Sequence, residues 1–358
     1  HIPFENGNVD SLKRVLEKLV NKRRLLREEV LPFSWENFGL KHVDLFSKLA
    51  SENDLLTLRE KRGQGSLARI YLVSHGTEGI NKGGPTTRMR FIKEFALDRG
   101  LEVQIVSDVT SLAGDDTHES LVHVFNSWPL DSALRQVRAA KNLGYPVVYS
   151  PIALNLEYHD VYAHVVPKIL SSGDIPSLES LSAKLRSAKD YEEYTSLIPN
   201  EGFKGHFDHL SASTASADGV ILLSEYEERF LERIGCNLDA SVIVENGVDS
   251  AVMSSGDPGL FRKTYNLDKY VLSVGRIEPR KNQAILALAM STLEVPLVLV
   301  GHSGSESYLR LVLEVGRGNV IHIDRIEDRA LLASAYAGAS VFLMASWVEG
   351  APLAALEA

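Results

Sequence analysis

The sequence has a single cysteine, Cys236, in 358 residues, so no internal disulfide framework can form and a reducing compartment is expected. Cys236 itself reads as a small packed hydrophobe. No apolar run approaches the ~18 to 20 residues of a membrane span, and the first seven residues lack the charged and apolar regions of a secretory signal. The start at His1, without an initiator Met, reads as a processed or tagged end and is set aside. A cytoplasmic location is expected. Positive charge is not in excess: 38 Lys and Arg face 47 Asp and Glu, a net charge of −9. Phosphate-backbone binding draws on a basic surplus, so nucleic acid is not expected as a partner.

The chain is too long for one ordinary domain and fits two, with a cleft between them. Residues 1–66 read as a helical extension, because Leu12, Val15, Leu16, Leu19 and Val20 recur at helical spacing before the basic cluster Lys22, Arg23, Arg24. The plainer reading is a helix packed on the next domain. The alternative is a docking element through residues 9–60, for a partner or adjoining domain or for peripheral contact with the inner membrane surface.

From Leu67 the texture becomes α/β, with short apolar runs alternating with helical stretches as in a doubly wound parallel sheet. Strands are expected at 68–73, 101–106, 121–125, 146–149, 219–224 and 241–245, with a mostly helical insertion on the cleft side over 153–215. Residues 67–255 form the first Rossmann-like domain. The second, 256–358, begins in a loop over 249–259 and carries strands at 270–274, 296–300, 320–323 and 340–344. It ends one strand and helix short of a full doubly wound unit, so a truncated second domain is expected.

Two segments of the second domain carry chemistry. Gly275-Arg276-Ile277-Glu278-Pro279-Arg280-Lys281 follows an apolar strand and precedes a helix, where ligands and anions bind in open α/β sheets. Arg280 and Lys281 put positive charge where the helix dipole disfavours it, which a bound anion would explain. Arg276 offers a planar fork and Lys281 a mobile point charge, a pair suited to a diphosphate. Solvated loop cations are the plain alternative. The companion is Glu349-Gly350-Ala351-Pro352-Leu353-Ala354-Ala355-Leu356-Glu357, two carboxylates with seven residues between them after a strand. Pro352 suits a first helical position, and the amides of Gly350, Ala351 and Leu353 can face a phosphate. Glu357 lies about 7 to 8 Å along the helix at ~1.5 Å per residue, so each carboxylate can meet a different hydroxyl-bearing group.

Together these segments resemble the retaining, GT-B-fold glycosyltransferases often called family 4, over roughly residues 67–358. Val244-Glu245-Asn246-Gly247-Val248-Asp249, followed by Ser273-Val274-Gly275-Arg276, is similar to that family's domain junction. The resemblance implies two Rossmann-like domains facing a cleft, with Arg276 and Lys281 on the donor diphosphate, Glu349 on the transferred sugar and Glu357 on the ribose. Gly275 and the stretch Gly350 to Leu353 complete the implied donor site. The implied partners are a nucleotide-diphosphate sugar as donor substrate and a glycan or glycolipid acceptor, in cell-surface polysaccharide assembly. Asn81-Lys82-Gly83-Gly84-Pro85 stands where the family has a glycine-rich loop near the donor phosphate, so Gly83 and Gly84 join the candidates.

That loop lacks G-x-G-x-x-G, which argues against a dinucleotide site; only Asp108, past the second strand, would suit one. No Asp-x-Asp occurs, so neither cofactor nor metal is expected. His206, Asp208 and His209 read as a polar helix or loop. Many family members have a histidine where Ser150-Pro151 stands here. His123 reads as packed, and His75, His159 and His164 as cleft residues without an assigned role, which leaves the acceptor-side base open. The rival readings are a GT-B-fold phosphorylase or epimerase, and a sugar-nucleotide-binding scaffold without turnover.

Overall fold

The computed structural model describes residues 41–42, 67–74, 84–129, 131–156, 161–177, 179–181, 183 and 205–358. The first domain alternates Arg69–Val73 (β1), Gly84–Leu97 (α1), Glu102–Val106 (β2), Ser120–Phe125 (β3), Ser132–Leu143 (α2) and Val147–Ser150 (β4). After the insertion, whose described helix is Val166–Ser171 (α3), come His206–Ser216 (α4), Gly219–Leu222 (β5), Glu225–Arg233 (α5) and Ser241–Ile243 (β6). All pairings are parallel, in the order β2-β1-β3-β4-β5-β6. β3, β4 and β5 are buried at every position, which is why they read as unbroken apolar runs: helices cover both faces of a parallel sheet.

The second domain contains Ser250–Ser254 (α6), Pro258–Tyr265 (α7), Val271–Val274 (β7), Gln283–Met290 (α8), Leu297–Val300 (β8), Glu306–Val315 (α9), Val320–Ile323 (β9), Arg329–Gly338 (α10), Val341–Phe342 (β10) and Leu353–Glu357 (α11). Its parallel sheet runs β10-β7-β8-β9. The α/β architecture of two parallel sheets is therefore as expected, and the strand positions differ from expectation by a residue or two.

Three local expectations differ from the structure. The segment 249–259 is not a loop: α6 and α7 occupy it, capped by the side chains of Asp249 and Asp257, and both pack on α10. Capping carboxylates and glycines resemble loop residues in sequence. The strand expected over 340–344 is two residues long, although Leu343 N–H still donates to Leu272 O at 2.8 Å. Pro352 is the extended residue before α11, with ψ 117°, and Leu353 opens the helix.

The insertion shows how the domains are joined. Val161, Val165, Val166, Ile169, Leu170 and Leu181 belong by chain order to the first domain. They are nevertheless buried in one cluster with Ala284, Leu288, Leu311 and Val315 of the second. The helical extension lies outside the described residues except for Lys41 and His42. Lys41 Nζ meets Glu245 Oε2 at 2.5 Å, and His42 is buried against Arg88.

Candidate functional site

The chain builds β7, β8 and β9 outward and then returns to place β10 on the other side of β7. Ligands of open parallel sheets bind beyond the carboxyl ends of the strands at such a reversal. Those ends are the segments 275–282 and 343–352, which overlap the segments 275–281 and 349–357 singled out by sequence. Gly275 and Gly301, at the ends of β7 and β8, have φ of +151° and +152°. A β-carbon at 301 would lie 2.1 Å from Gly275 O, so only glycine lets the two loops pass. The stem of Lys281 runs alongside Gly275, 3.8 Å from where a β-carbon would be.

Hydrogen bonds stitch the two segments together. Asn282, left-handed at φ 59°, opens α8 and donates to Ala345 O at 3.1 Å, while Trp347 N–H donates to Arg280 O at 3.0 Å. Arg280 donates to Val348 O at 2.9 Å and Glu278 Oε1 at 2.7 Å, and reaches Glu349 Oε2 at 3.4 Å. Lys281 Nζ donates to Glu349 Oε1 at 2.5 Å, with both side chains only 17% exposed. Arg276 lies further out, 43% exposed, with Glu278 at 3.4 Å. Three cations thus face two carboxylates, leaving one positive charge in surplus.

Burial pushes the Glu349 carboxyl up, but Lys281 and Arg280 outweigh it and hold the group below its usual range. Burial lowers the Lys281 ammonium against the pull of Glu349. With such close contact the pair is ionic. Glu357 has a different environment. Its Oε2 accepts from Tyr336 Oη at 2.8 Å, and burial raises its pKa, opposed by Tyr336 and Arg329.

The donor-loop candidates Gly350 and Ala351 lean on the first domain. Gly350 lies beside Leu154 and Leu223, and its carbonyl accepts from Ser224 Oγ at 3.2 Å. The Ala351 carbonyl accepts from Asn246 Nδ2 at 2.7 Å. Gly84 is the first residue of α1, and Gly83 lies outside the described residues.

A cleft of ≈ 360 Å³ separates the domains. Glu278, Pro279 and Arg280 line it from the second domain, and Asn126, Trp128, Ile152, Leu154, Leu156, Tyr162 and His206 from the first-domain side. Trp128 is 51% exposed. Its loop is shaped by Asn126, left-handed at φ 75°, which donates to Trp128 O at 3.0 Å and accepts from Ser127 N–H. Tyr162 stacks on Trp347, ring centroids 6.4 Å apart. Sequence reasoning singled out none of Trp128, Tyr162 and Trp347 and gave Arg280 no contact of its own. The signal for Trp128 was available: it follows β3, which with β1 flanks the reversal of the first sheet.

The remaining polar candidates resolve one by one. His123 is fully buried, its Nε2 2.8 Å from Ser150 Oγ, and burial holds its pKa well below the usual value, so it is packed as expected. His206 is buried at the cleft and His164 is exposed, while His75 and His159 lie outside the described residues. His206, Asp208 and His209 all sit on α4, and the described residues contain no group of three His, Cys, Asp or Glu able to hold a metal. Asp108 accepts from Thr110 N–H and caps a short turn. No described helix is long and apolar enough to cross a membrane.

Comparison with known proteins agrees with this fold. Residues 261–358 match the family model described as Glycosyl transferases group 1. Among solved structures, sucrose-phosphate synthase from Thermosynechococcus elongatus aligns with a TM-score of 0.55 and 17% identity, covering 81% of this chain and 78% of that one. HepE from Anabaena, solved with UDP and glucose, aligns with a TM-score of 0.50 and 14% identity, over 78% and 74% of the two chains. No curated protein matches the sequence. Residues 261–358 are thus similar to the glycosyl transferases group 1 family, and the chain has the GT-B fold of these glycosyltransferase structures.

Proposed function

We propose that this glycosyltransferase moves a sugar from a nucleoside diphosphate to a neutral hydroxyl acceptor with retention of configuration at the anomeric carbon. The observation that carries the reading is the Lys281–Glu349 pair at the sheet reversal, joined through Arg280 to a cleft whose other wall is aromatic and apolar. Lys281 and Arg276 would hold the diphosphate, Glu349 the transferred sugar and Glu357 the ribose. Glu349 and Glu357 already have different partners, which supports different roles. Because Lys281 is bound to Glu349, a diphosphate must share that ammonium with the carboxylate. The surplus positive charge and the further guanidinium of Arg280 make such sharing electrostatically feasible.

In the proposed step the bond from the anomeric carbon to the diphosphate oxygen breaks. A bond to the acceptor oxygen forms on the same face, and the acceptor proton passes to the departing diphosphate. The protein contributes orientation and stabilisation of the leaving charge. Trp128 offers a flat apolar platform for one face of an acceptor sugar, with Asn126 beside it for its hydroxyls. A glycan or glycolipid acceptor in cell-surface assembly, and peripheral attachment at the inner membrane surface, belong to the same reading.

The test is an assay of UDP- and GDP-sugars with simple glycosides, run with excess EDTA, reading the product anomer by NMR. UDP-glucose is the first donor to try, given the ligands of the HepE structure. Retained configuration and activity without added metal are expected. Restoration of a chelated, inactive enzyme by manganese alone, or an inverted product, overturns the reading. Donor cleavage that requires phosphate would favour a phosphorylase instead.

A further inference from the structure

Arg88 is a buried cation that the donor site does not use. It lies on α1 and is 1% exposed. Its Nη1 donates to Asn246 Oδ1 at 2.9 Å and its Nη2 to Val244 O at 3.1 Å. The first of these bonds fixes the Asn246 amide, because an oxygen that accepts from a guanidinium leaves Nδ2 as the donor on the other side. That Nδ2 donates to Ala351 O at 2.7 Å, across the domain boundary. One residue earlier, Ser224 Oγ donates to Gly350 O at 3.2 Å, again from the first domain. Ser224 is also held, because its oxygen accepts from Glu227 N–H as the cap of α5.

Two consecutive carbonyls of the donor loop are therefore turned toward the first domain. In a trans peptide the N–H points opposite to the C=O, so the Ala351 amide faces away from Ser224. It has no hydrogen-bond partner among the described residues. Pro352 has no N–H, so in this stretch the Ala351 amide is the donor that the anchoring makes available. Close packing sets the same orientation: Gly350 has Leu154 and Leu223 within 3.6 Å of a β-carbon position.

We propose that Asn246, oriented by Arg88, and Ser224 are positioning residues that hold the Gly350–Ala351 peptide so that its amide meets the donor diphosphate. The first domain thereby completes a donor site whose charged groups all lie on the second. Domain approach and donor affinity are coupled through these two bonds. The inference rests on the donor reading above.

Four variants separate positioning from a merely structural role. Asn246→Asp keeps the bond to Arg88 and strengthens it by charge, but places an acceptor against the Ala351 carbonyl. Asn246→Ala removes both bonds. Ser224→Ala removes the second anchor, and Ser224→Thr restores the hydroxyl. UDP and GDP affinity by calorimetry, donor and acceptor KM, kcat and melting temperature are measured for each. One hydrogen bond corresponds to about two- to tenfold in affinity. Asn246→Asp should lose about that much nucleotide affinity and raise donor KM, leaving acceptor KM and melting temperature near the parent's. Ser224→Ala should lose nucleotide affinity likewise and, having also lost the cap of α5, melt lower, with both recovered in Ser224→Thr. Parental nucleotide affinity in Asn246→Asp overturns the inference, as does a loss in Ser224→Ala that Ser224→Thr fails to restore. If the parent binds neither nucleotide while Asn246→Asp still folds, the donor reading itself falls and takes this inference with it.

Discussion

The two walls of the cleft use opposite physics. The second-domain wall is ionic: Glu278 and Arg280 line it and join Arg276, Lys281 and Glu349 behind them in one network on two loops. The first-domain wall presents Trp128, Ile152, Leu154, Leu156 and Tyr162, with Asn126, Ser127 and His206 as its polar residues. Its shape depends on a carboxylate placed behind it. Glu227, fully buried, accepts from Ala153 N–H and Leu223 N–H at 2.6 Å each, tying together the loops that follow β4 and β5. A charged wall suits a diphosphate and a sugar whose anomeric carbon becomes positive. An aromatic wall suits a neutral acceptor that must stack, slide and leave.

The largest expected effect concerns the carboxylate behind the neutral wall. Burial raises the Glu227 pKa from 4.5 to about 7, against the two amide bonds and the field of Arg88. The folded state then holds this proton more tightly than the unfolded chain. The resulting stability is complete below pH ~4.5 and is lost as pH rises through ~7, about 3 kcal/mol at most for this shift. Denaturant titrations of the parent and Glu227→Gln at pH 5 and pH 8 check it. The parent should lose more stability than the variant over that interval, and equal losses would refute the assignment. The variant should also be less stable at pH 5, because its amide NH₂ must face a backbone N–H.

Next in size is the charged wall itself. Lys281→Ala removes the proposed charged contact to the diphosphate, expected to weaken donor use by about 10- to 150-fold at ~1.5 to 3 kcal/mol. Arg280 remains beside Glu349, so the fold should survive. Unchanged UDP or GDP affinity in calorimetry would place the diphosphate elsewhere.

A smaller contrast lies between the two glutamates of the proposed donor site. Glu349→Gln should lower kcat by roughly 10- to 100-fold with nucleotide affinity nearly intact, since its contact strengthens as charge develops. Glu357→Gln should chiefly raise donor KM, since a ribose changes little during transfer. Equal losses of nucleotide affinity in the two variants would erase the distinction. The smallest effect should come from the aromatic wall. Trp128→Ala is expected to raise acceptor KM by about three- to tenfold through lost stacking while donor KM holds. A change confined to donor KM would reverse the assignment of the walls.

The alternation of apolar strands and amphipathic helices was legible in the sequence because period and burial are local properties of the chain. The same holds for the reversal-point segments 275–281 and 349–357, where a strand end, glycine, cations and carboxylates are neighbours in sequence. The two helices at 250–265 were not legible, since their caps are made of the aspartates, serines and glycines that also make loops. Trp128 as a cleft residue was legible only from its place after β3, because one exposed tryptophan has no periodicity. Sequence also could not show that Lys281 and Glu349, 68 positions apart, share a hydrogen bond, or that Asn246 reaches the carbonyl of Ala351, 105 positions on. Local spacing determined which groups the chain carries to the end of each strand. Which of those groups touch was decided only when two sheets and a bridging helix packed against one another, because contact between distant residues is a property of packing and leaves no period in the chain.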